Sequence, residues 1–460
     1  MSLFDDVVWR LRDRAAGLGA DLRWWRERTA ENGDLPQHHT QVLRLGDFLE
    51  GMLAEVMPGT AAAGGVDDLP TLRRGVGSVH LVWDFYRDKL TQRDTGAFAD
   101  HLGAADDLAW ACYQPFLDAA AGTLSAADVR EPPLVFYSTD RTPFAQARTR
   151  TLHPPGLDAK DLVVFEAALQ RLPVPVIGVP WELANRMPEL TLVGHEAGHV
   201  VAEDLRLAAE ARSVVSAAIS DGVRQKVWIS WCDEVFADVI GVLATGTAYL
   251  DALTVELADT RAEIRDAPIR TGNPGRYPTR VLRVALCSSV LTRLGLTVPG
   301  GWAETYGPVG GPSDAYAADV DLVVAALTDH AWAGLGGKRL AEVLPWDAGR
   351  EKDAHTVGGK ESLRRPVPVR FDVRVWAAAA MHAYRLDPAR YAAGGLDALL
   401  ARRIVDQRRA GTRSSESTRA AAMTREHTPH DVDPARRLRD ADRSAGAEFA
   451  RLLVTRRSRQ

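Results

Sequence analysis

Cysteine is scarce in this 460-residue chain, with Cys112, Cys232 and Cys287 the only three. Three scattered thiols cannot form a disulfide framework, so the sequence points to a reducing compartment, and the cytoplasm is the expected location. Long apolar runs are missing too. No stretch approaches the ~20 apolar residues of a membrane-spanning helix. The opening Met1-Ser2-Leu3-Phe4-Asp5-Asp6 has neither the basic nor the apolar segment of a signal peptide. No membrane partner is therefore expected. Strand signals are few, and the expected fold class is α+β, predominantly α-helical.

What is present suits a globular protein of two or three domains. Hydrophobic residues make up 46% of the chain and charged residues 25%, with a formal net charge of −5, and the length leaves ample chain to bury a core. The last 60 residues depart from this balance, carrying 15 arginines against 8 acidic residues. A solvated basic tail explains that excess more simply than nucleic-acid binding does, so no nucleic-acid partner is expected. The two GGK sequences are not phosphate-binding loops, because Trp332, Ala354 and Glu361 stand where that loop requires other residues.

Chemistry concentrates at His195-Glu196-Ala197-Gly198-His199, an HExxH motif in a stretch of helical character. On a helix, positions i and i+4 share a face, so both imidazoles reach one metal ion while the glutamate can take a proton from its water. A catalytic zinc site needs a third protein ligand. The metzincin spacing would require glycine at 202 and histidine at 205, where the chain has Ala202 and Leu205. An aminopeptidase-type spacing would put glutamate at 218, which is Ala218. Glu203 continues the stripe, but eight residues of helix rise about 12 Å, too far to share one ion.

The remaining candidate is Glu234, in Trp231-Cys232-Asp233-Glu234-Val235-Phe236-Ala237-Asp238-Val239-Ile240-Gly241. Helical spacing puts Glu234 and Asp238 on one face of an otherwise apolar segment, where two carboxylates are costly unless they are paired or bound to metal. Asp238 suits a carboxylate that accepts the other N–H of a ligand histidine and fixes its tautomer. Cys232, although nearby, reads as a buried structural thiol.

HExxH followed by a helix with ExxxD resembles the gluzincin metallopeptidases over about residues 190–243. The form HEAGH then E-V-F-A-D is similar to two branches. One comprises membrane-bound proteases with E-x-x-A-D that process prenylated proteins or clear damaged membrane proteins. The other comprises soluble repressor-cleaving proteases of the ImmA/IrrE type. The resemblance implies a zincin-like catalytic domain with one Zn2+ held by His195, His199 and Glu234, Glu196 as general base, and Asp238 as the outer partner of a histidine. It implies hydrolysis of a protein or peptide substrate by a metal-activated water. Two alternatives stay open at this point: a non-catalytic zincin-like module that binds a regulatory protein partner, and a zinc amidohydrolase acting on a non-peptide amide.

The surrounding organisation divides into an N-terminal helical bundle (1–128), the catalytic domain (129–300), a C-terminal helical region (301–409) and a basic flexible tail with a short helix (410–460). Ser2 with Asp5 resembles a helix start. Leu134–Thr139 and Val174–Val179 read as strands, the second confined by its prolines to a sheet edge, where a zincin could lay an extended peptide. Zinc peptidases also need a donor for the oxyanion. Tyr277 and Arg283 are the catalytic candidates for that role, with His330 behind them.

Overall fold

Ser2 and Asp5 start the first helix as their spacing predicts. The Asp5 amide donates to Ser2 Oγ, and the Ser2 amide and hydroxyl donate to the Asp5 carboxylate. The computed structural model describes residues 2–62, 64–140, 144–146, 172–362, 365, 367, 371–411 and 433–455. Within them, helices α1 (Leu3–Thr29), α2 (His39–Ala62) and α3 (Leu69–Thr91) lead to α4 (Gly96–Ala119). Strands β1 (Leu134–Ser138), β2 (Phe144–Gln146) and β3 (Val176–Pro180) form the sheet. Helices α5 (Leu192–Asp204), α6 (Leu207–Ala218), α7 (Gly222–Thr245), α8 (Thr247–Leu257) and α9 (Arg280–Arg293) follow. The C-terminal part supplies α10 (Ala348–Ser362), α11 (Val373–Leu386), α12 (Leu396–Gly411) and α13 (Pro434–Thr455). Among the described residues the protein is thus mainly α-helical with one small sheet.

Two hydrophobic cores share that sheet. Successive strand side chains point to opposite faces, and here each face belongs to a different core. Leu134, Phe136 and Val176 pack with the apolar stripes of α1, α2 and α3. Val135, Tyr137, Ile177 and Val179 pack with α4, α5, α7 and the helices beyond. Helix α4, within the stretch 1–128, packs in the second core, while alternate residues of β1 and β3 beyond it pack in the first. Leu102, Leu108, Cys112 and Phe116 of α4 all lie in the second core.

The strand order is β1-β3-β2, with β1 parallel and β2 antiparallel to β3. The proline-flanked strand is thus central, contrary to the edge position expected from sequence. Its prolines do not interrupt the pairing: Pro175 precedes the strand and accepts from the Leu134 amide, and Pro180 lies beyond the residues that pair with β2. The outer side of β1 is covered by side chains. Arg93 donates to the Val135 carbonyl, the Val135 amide donates to Asp106, and Gln92 bonds both the amide and the carbonyl of Tyr137. This leaves β2 as the other edge.

The basic C-terminal segment also differs from expectation. Its proposed connector lies mostly outside the described residues, but α13 is a 22-residue helix packed along α2. Arg44 makes a buried two-pronged pair with Asp442 at 2.8 and 2.7 Å, and Phe449 meets Phe48 edge to face. Backbones touch where both helices carry glycine. A Cβ on Gly446 would fall 1.9 Å from the Phe48 carbonyl oxygen, and one on Gly51 would fall 2.0 Å from that of Arg443. The bundle of α1–α3 is completed by a helix from the far end of the chain. No helix among the described residues is long and apolar enough to cross a membrane.

Candidate metal centre

Close approach of two helices builds the site. Gly194 and Gly198 of α5 face α7, where a Cβ on Gly198 would lie 2.9 Å from both Ala237 Cα and Ile240 Cβ, and one on Gly194 would lie 2.8 Å from Ala244 Cβ. Gly241 of α7 gives the same clearance to the Tyr249 ring, at 2.7 Å. Small residues on both helices let the backbones near one another, so that His195 and His199 of α5 reach Glu234 of α7. These three glycines were not singled out from the sequence. Their signal was present, since two of them lie four apart on the HExxH helix.

The three expected ligands converge. His195 Nε2 lies 3.2 Å from His199 Nε2, and Glu234 Oε2 lies 3.5 and 3.6 Å from those two atoms. Bonds of about 2.0–2.1 Å in a tetrahedral set place donor atoms about 3.4 Å apart. The triangle already has the size of one face of a zinc coordination shell. His195 and Glu234 are buried, and His199 keeps 20% of its side chain exposed. Burial alone would raise the Glu234 carboxyl, yet the His195 and His199 imidazoles hold it well below the usual carboxylate range. Glu196 is buried on α5 between the two histidines.

Asp238 stands one turn beyond Glu234, as the spacing predicts, 3.0 Å from His195 Nδ1. It is fully buried and takes hydrogen bonds from three partners. His195 Nδ1–H points into the pair formed by Asp238 Oδ1 and Tyr249 Oη, each 3.0 Å away, while the Tyr249 hydroxyl donates to Asp238 Oδ1 at 2.6 Å. Arg283 donates to Asp238 from Nε at 2.9 Å and from Nη2 at 2.6 Å. Three of these contacts fall on Oδ1 and one, from Arg283 Nε, on Oδ2. Burial opposes its ionisation, but Arg283 and then His195 hold the carboxyl well below its ordinary value. For His195 burial pulls down, and Asp238 with Glu234 more than reverses it, leaving a pKa of about 9. With Nδ1–H committed to Asp238, Nε2 is the nitrogen presented to Glu234 and His199.

Arg283 therefore does not occupy the oxyanion-donor position expected of it. It is buried behind the ligand shell, and its guanidinium is spent on Asp238. Tyr277 lies 58% exposed in the loop before α9, and among the described residues no hydrogen bond or ring contact joins it to the triad. His330 is elsewhere, with Nε2 2.8 Å from Glu210. Cys232 is buried, and burial pushes its thiol up to about 12, as befits a structural thiol. Sequence reasoning missed Tyr249. Nothing in its local spacing marks it, because its partners lie 11 and 54 residues upstream.

Compared with family models, curated proteins and solved structures, the chain gives no match.

Proposed function

We propose that the protein is a zinc-dependent metallopeptidase of gluzincin type, with a zincin-like catalytic core built on α5 and α7, acting on a protein or peptide substrate in the cytoplasm. One observation carries the reading: His195, His199 and Glu234 present three donor atoms at mutual distances of 3.2–3.6 Å, with the histidine tautomer fixed from behind by Asp238. Two imidazoles and one carboxylate are a zinc donor set. When bound, zinc lowers the pKa of a ligand water toward neutrality and polarises a carbonyl.

The chain's own groups supply the rest. Glu196 takes a proton from the attacking water on its carboxylate and returns it to the leaving amine. Asp238, Tyr249 and Arg283 form a buried, hydrogen-bonded unit that keeps the His195 ring from turning. An extended peptide pairs with the edge strand β2, which packs beside α5, taking the place that the sequence had suggested for β3. The three buried free thiols suit a reducing compartment.

The test is Glu196→Gln. The variant keeps stoichiometric zinc and loses hydrolysis of a peptide library by at least about 100-fold, the usual worth of a general base. Full activity in Glu196→Gln, or wild-type protein purified without zinc and unable to take it up, would refute the reading.

A further inference from the structure

A second cluster of metal-ligand residues lies at the far end of α7. Glu351 and His355 occupy i and i+4 on α10, so they share a face, and His382 meets them from α11. The register is set by Gly358, where an added Cβ would fall 2.7 Å from the Ala379 carbonyl oxygen and 3.2 Å from His382 Cβ. This explains one of the GGK sequences: its first glycine is a point of helix contact.

Glu351 Oε1 is 3.2 Å from His355 Nε2 and 3.5 Å from His382 Nε2. The two imidazoles stack with centroids 3.7 Å apart and planes 16° apart. His382 is buried, and among the described residues its Nε2 makes no well-formed hydrogen bond, although it faces the Glu351 carboxylate oxygen at 3.5 Å. A buried donor atom left in that condition is costly. Charging both stacked rings would set two cations in contact. A single divalent cation satisfies the buried nitrogen, the carboxylate oxygen and the second imidazole together.

We propose that Glu351, His355 and His382 form a second site for a divalent d-block cation of the zinc class, distinct from the His195 centre. Two imidazole nitrogens and one carboxylate oxygen suit Zn2+, Co2+ or Ni2+ better than Mg2+ or Ca2+. In-plane coordination asks one ring to turn, and His355, with 59% of its side chain exposed, has the room to do so while His382 and Glu351 stay fixed. The carboxylate is also held by Trp346 and Thr247. Trp346 Nε1 donates to Oε2 at 2.8 Å, the Thr247 amide donates to Oε2 at 3.3 Å, and the Thr247 hydroxyl donates to Oε1.

These bonds give the site its consequence. Thr247 begins α8, two residues before Tyr249, and Gly246 beside it joins α8 to α7. Gly246 has φ +60°, and a Cβ there would collide with Trp346 and Glu351. An ion on Glu351 ties α10 and α11 to the junction that positions Tyr249 against His195. The site is a structural brace for that junction.

The experiment counts Zn2+ per chain after dialysis of full-length protein, alongside thermal melts with and without added Zn2+. Wild type holds two equivalents, His355→Ala one, His199→Ala one, and the double variant none. Zn2+ raises the melting temperature of His199→Ala, and His355→Ala removes that part of the rise. His382→Ala repeats the loss, and a Zn2+ titration shows second-site affinity falling at least about 100-fold in either variant. If His355→Ala and His382→Ala both bind as many equivalents as wild type, the second site is overturned. If instead they lose one equivalent while His199→Ala loses none, the second site stands and the peptidase reading of the first fails.

Discussion

Arg283 grips Asp238 with two hydrogen bonds of 2.9 and 2.6 Å, and through Asp238 it reaches a histidine 88 positions earlier in the chain. This pairing neutralises a buried carboxylate that would otherwise cost several kcal/mol. Arg283→Gln leaves that charge without its cation. The expected outcome is a loss of about 3–5 kcal/mol in denaturant stability and zinc binding weaker by about 10–100-fold in a chelator competition. Adding Asp238→Asn restores part of the stability. A variant with wild-type zinc affinity and a defect in turnover alone would return Arg283 to the oxyanion role.

Tyr249→Phe isolates the hydroxyl between Asp238 and His195. The ring remains against Gly241, so the cavity term is small. One lost bond to a charged group is worth about 1.5–3 kcal/mol, and zinc affinity falls by about tenfold. Unchanged affinity in the same competition assay would show that Asp238 alone fixes the ring.

Gly198→Ala tests the helix contact. Alanine favours the helix by about 1 kcal/mol, whereas its methyl would sit 2.9 Å from Ala237 Cα and Ile240 Cβ. Overpacking of this kind costs about 1–3 kcal/mol. The net result is a lower denaturant midpoint together with weaker zinc binding, since separating α5 from α7 opens the triangle. A midpoint above wild type would mean that the helices are not held at this spacing.

His101 makes stability depend on pH. The imidazole is buried, with Nδ1 2.6 Å from the Tyr137 hydroxyl, and burial lowers its pKa to about 4. The folded state therefore binds fewer protons than the unfolded state between about pH 6.5 and 4. Stability is complete above that window and is lost as pH falls through it, by up to about 3 kcal/mol. Urea midpoints at pH 7 and pH 4.5 check this: His101→Gln loses less over the interval than wild type. Parallel pH profiles for the two proteins would contradict it.

Truncation after residue 432 removes α13 and uncovers Phe48 on α2. The expected result is a dye-binding, destabilised bundle in a protein that still takes up zinc at the His195 centre, because that centre belongs to the other core. Loss of zinc binding on truncation would show that the two cores fold as one unit.

Much of the site was legible because its chemistry repeats with helical spacing. His195 and His199 are four apart, as are Glu234 and Asp238, and each pair shares a helix face. The start of α1 was legible for the same reason, from Ser2 and Asp5 three residues apart. What escaped depends on partners distant in sequence. Arg283 could equally serve an oxyanion or a carboxylate until Asp238 is seen beside it. β3 looked like an edge strand because its prolines were read without their register, which places both outside the segment paired with β2. Residues 96–119 form α4, but periodicity cannot say which of two cores its apolar face will join.

The bond between Arg44 and Asp442 spans 398 residues, and this fixes an order of events during synthesis. At about 5–20 residues per second a ribosome needs about 20–80 s to travel from one partner to the other. For most of that time α2 is outside the tunnel without the helix that will cover Phe48, while the core that carries the candidate metal centre is made and can fold. The bundle of α1–α3 is thus finished only after the core that follows it in the chain. Its uncovered apolar stripe is the surface a chaperone would hold in the interval.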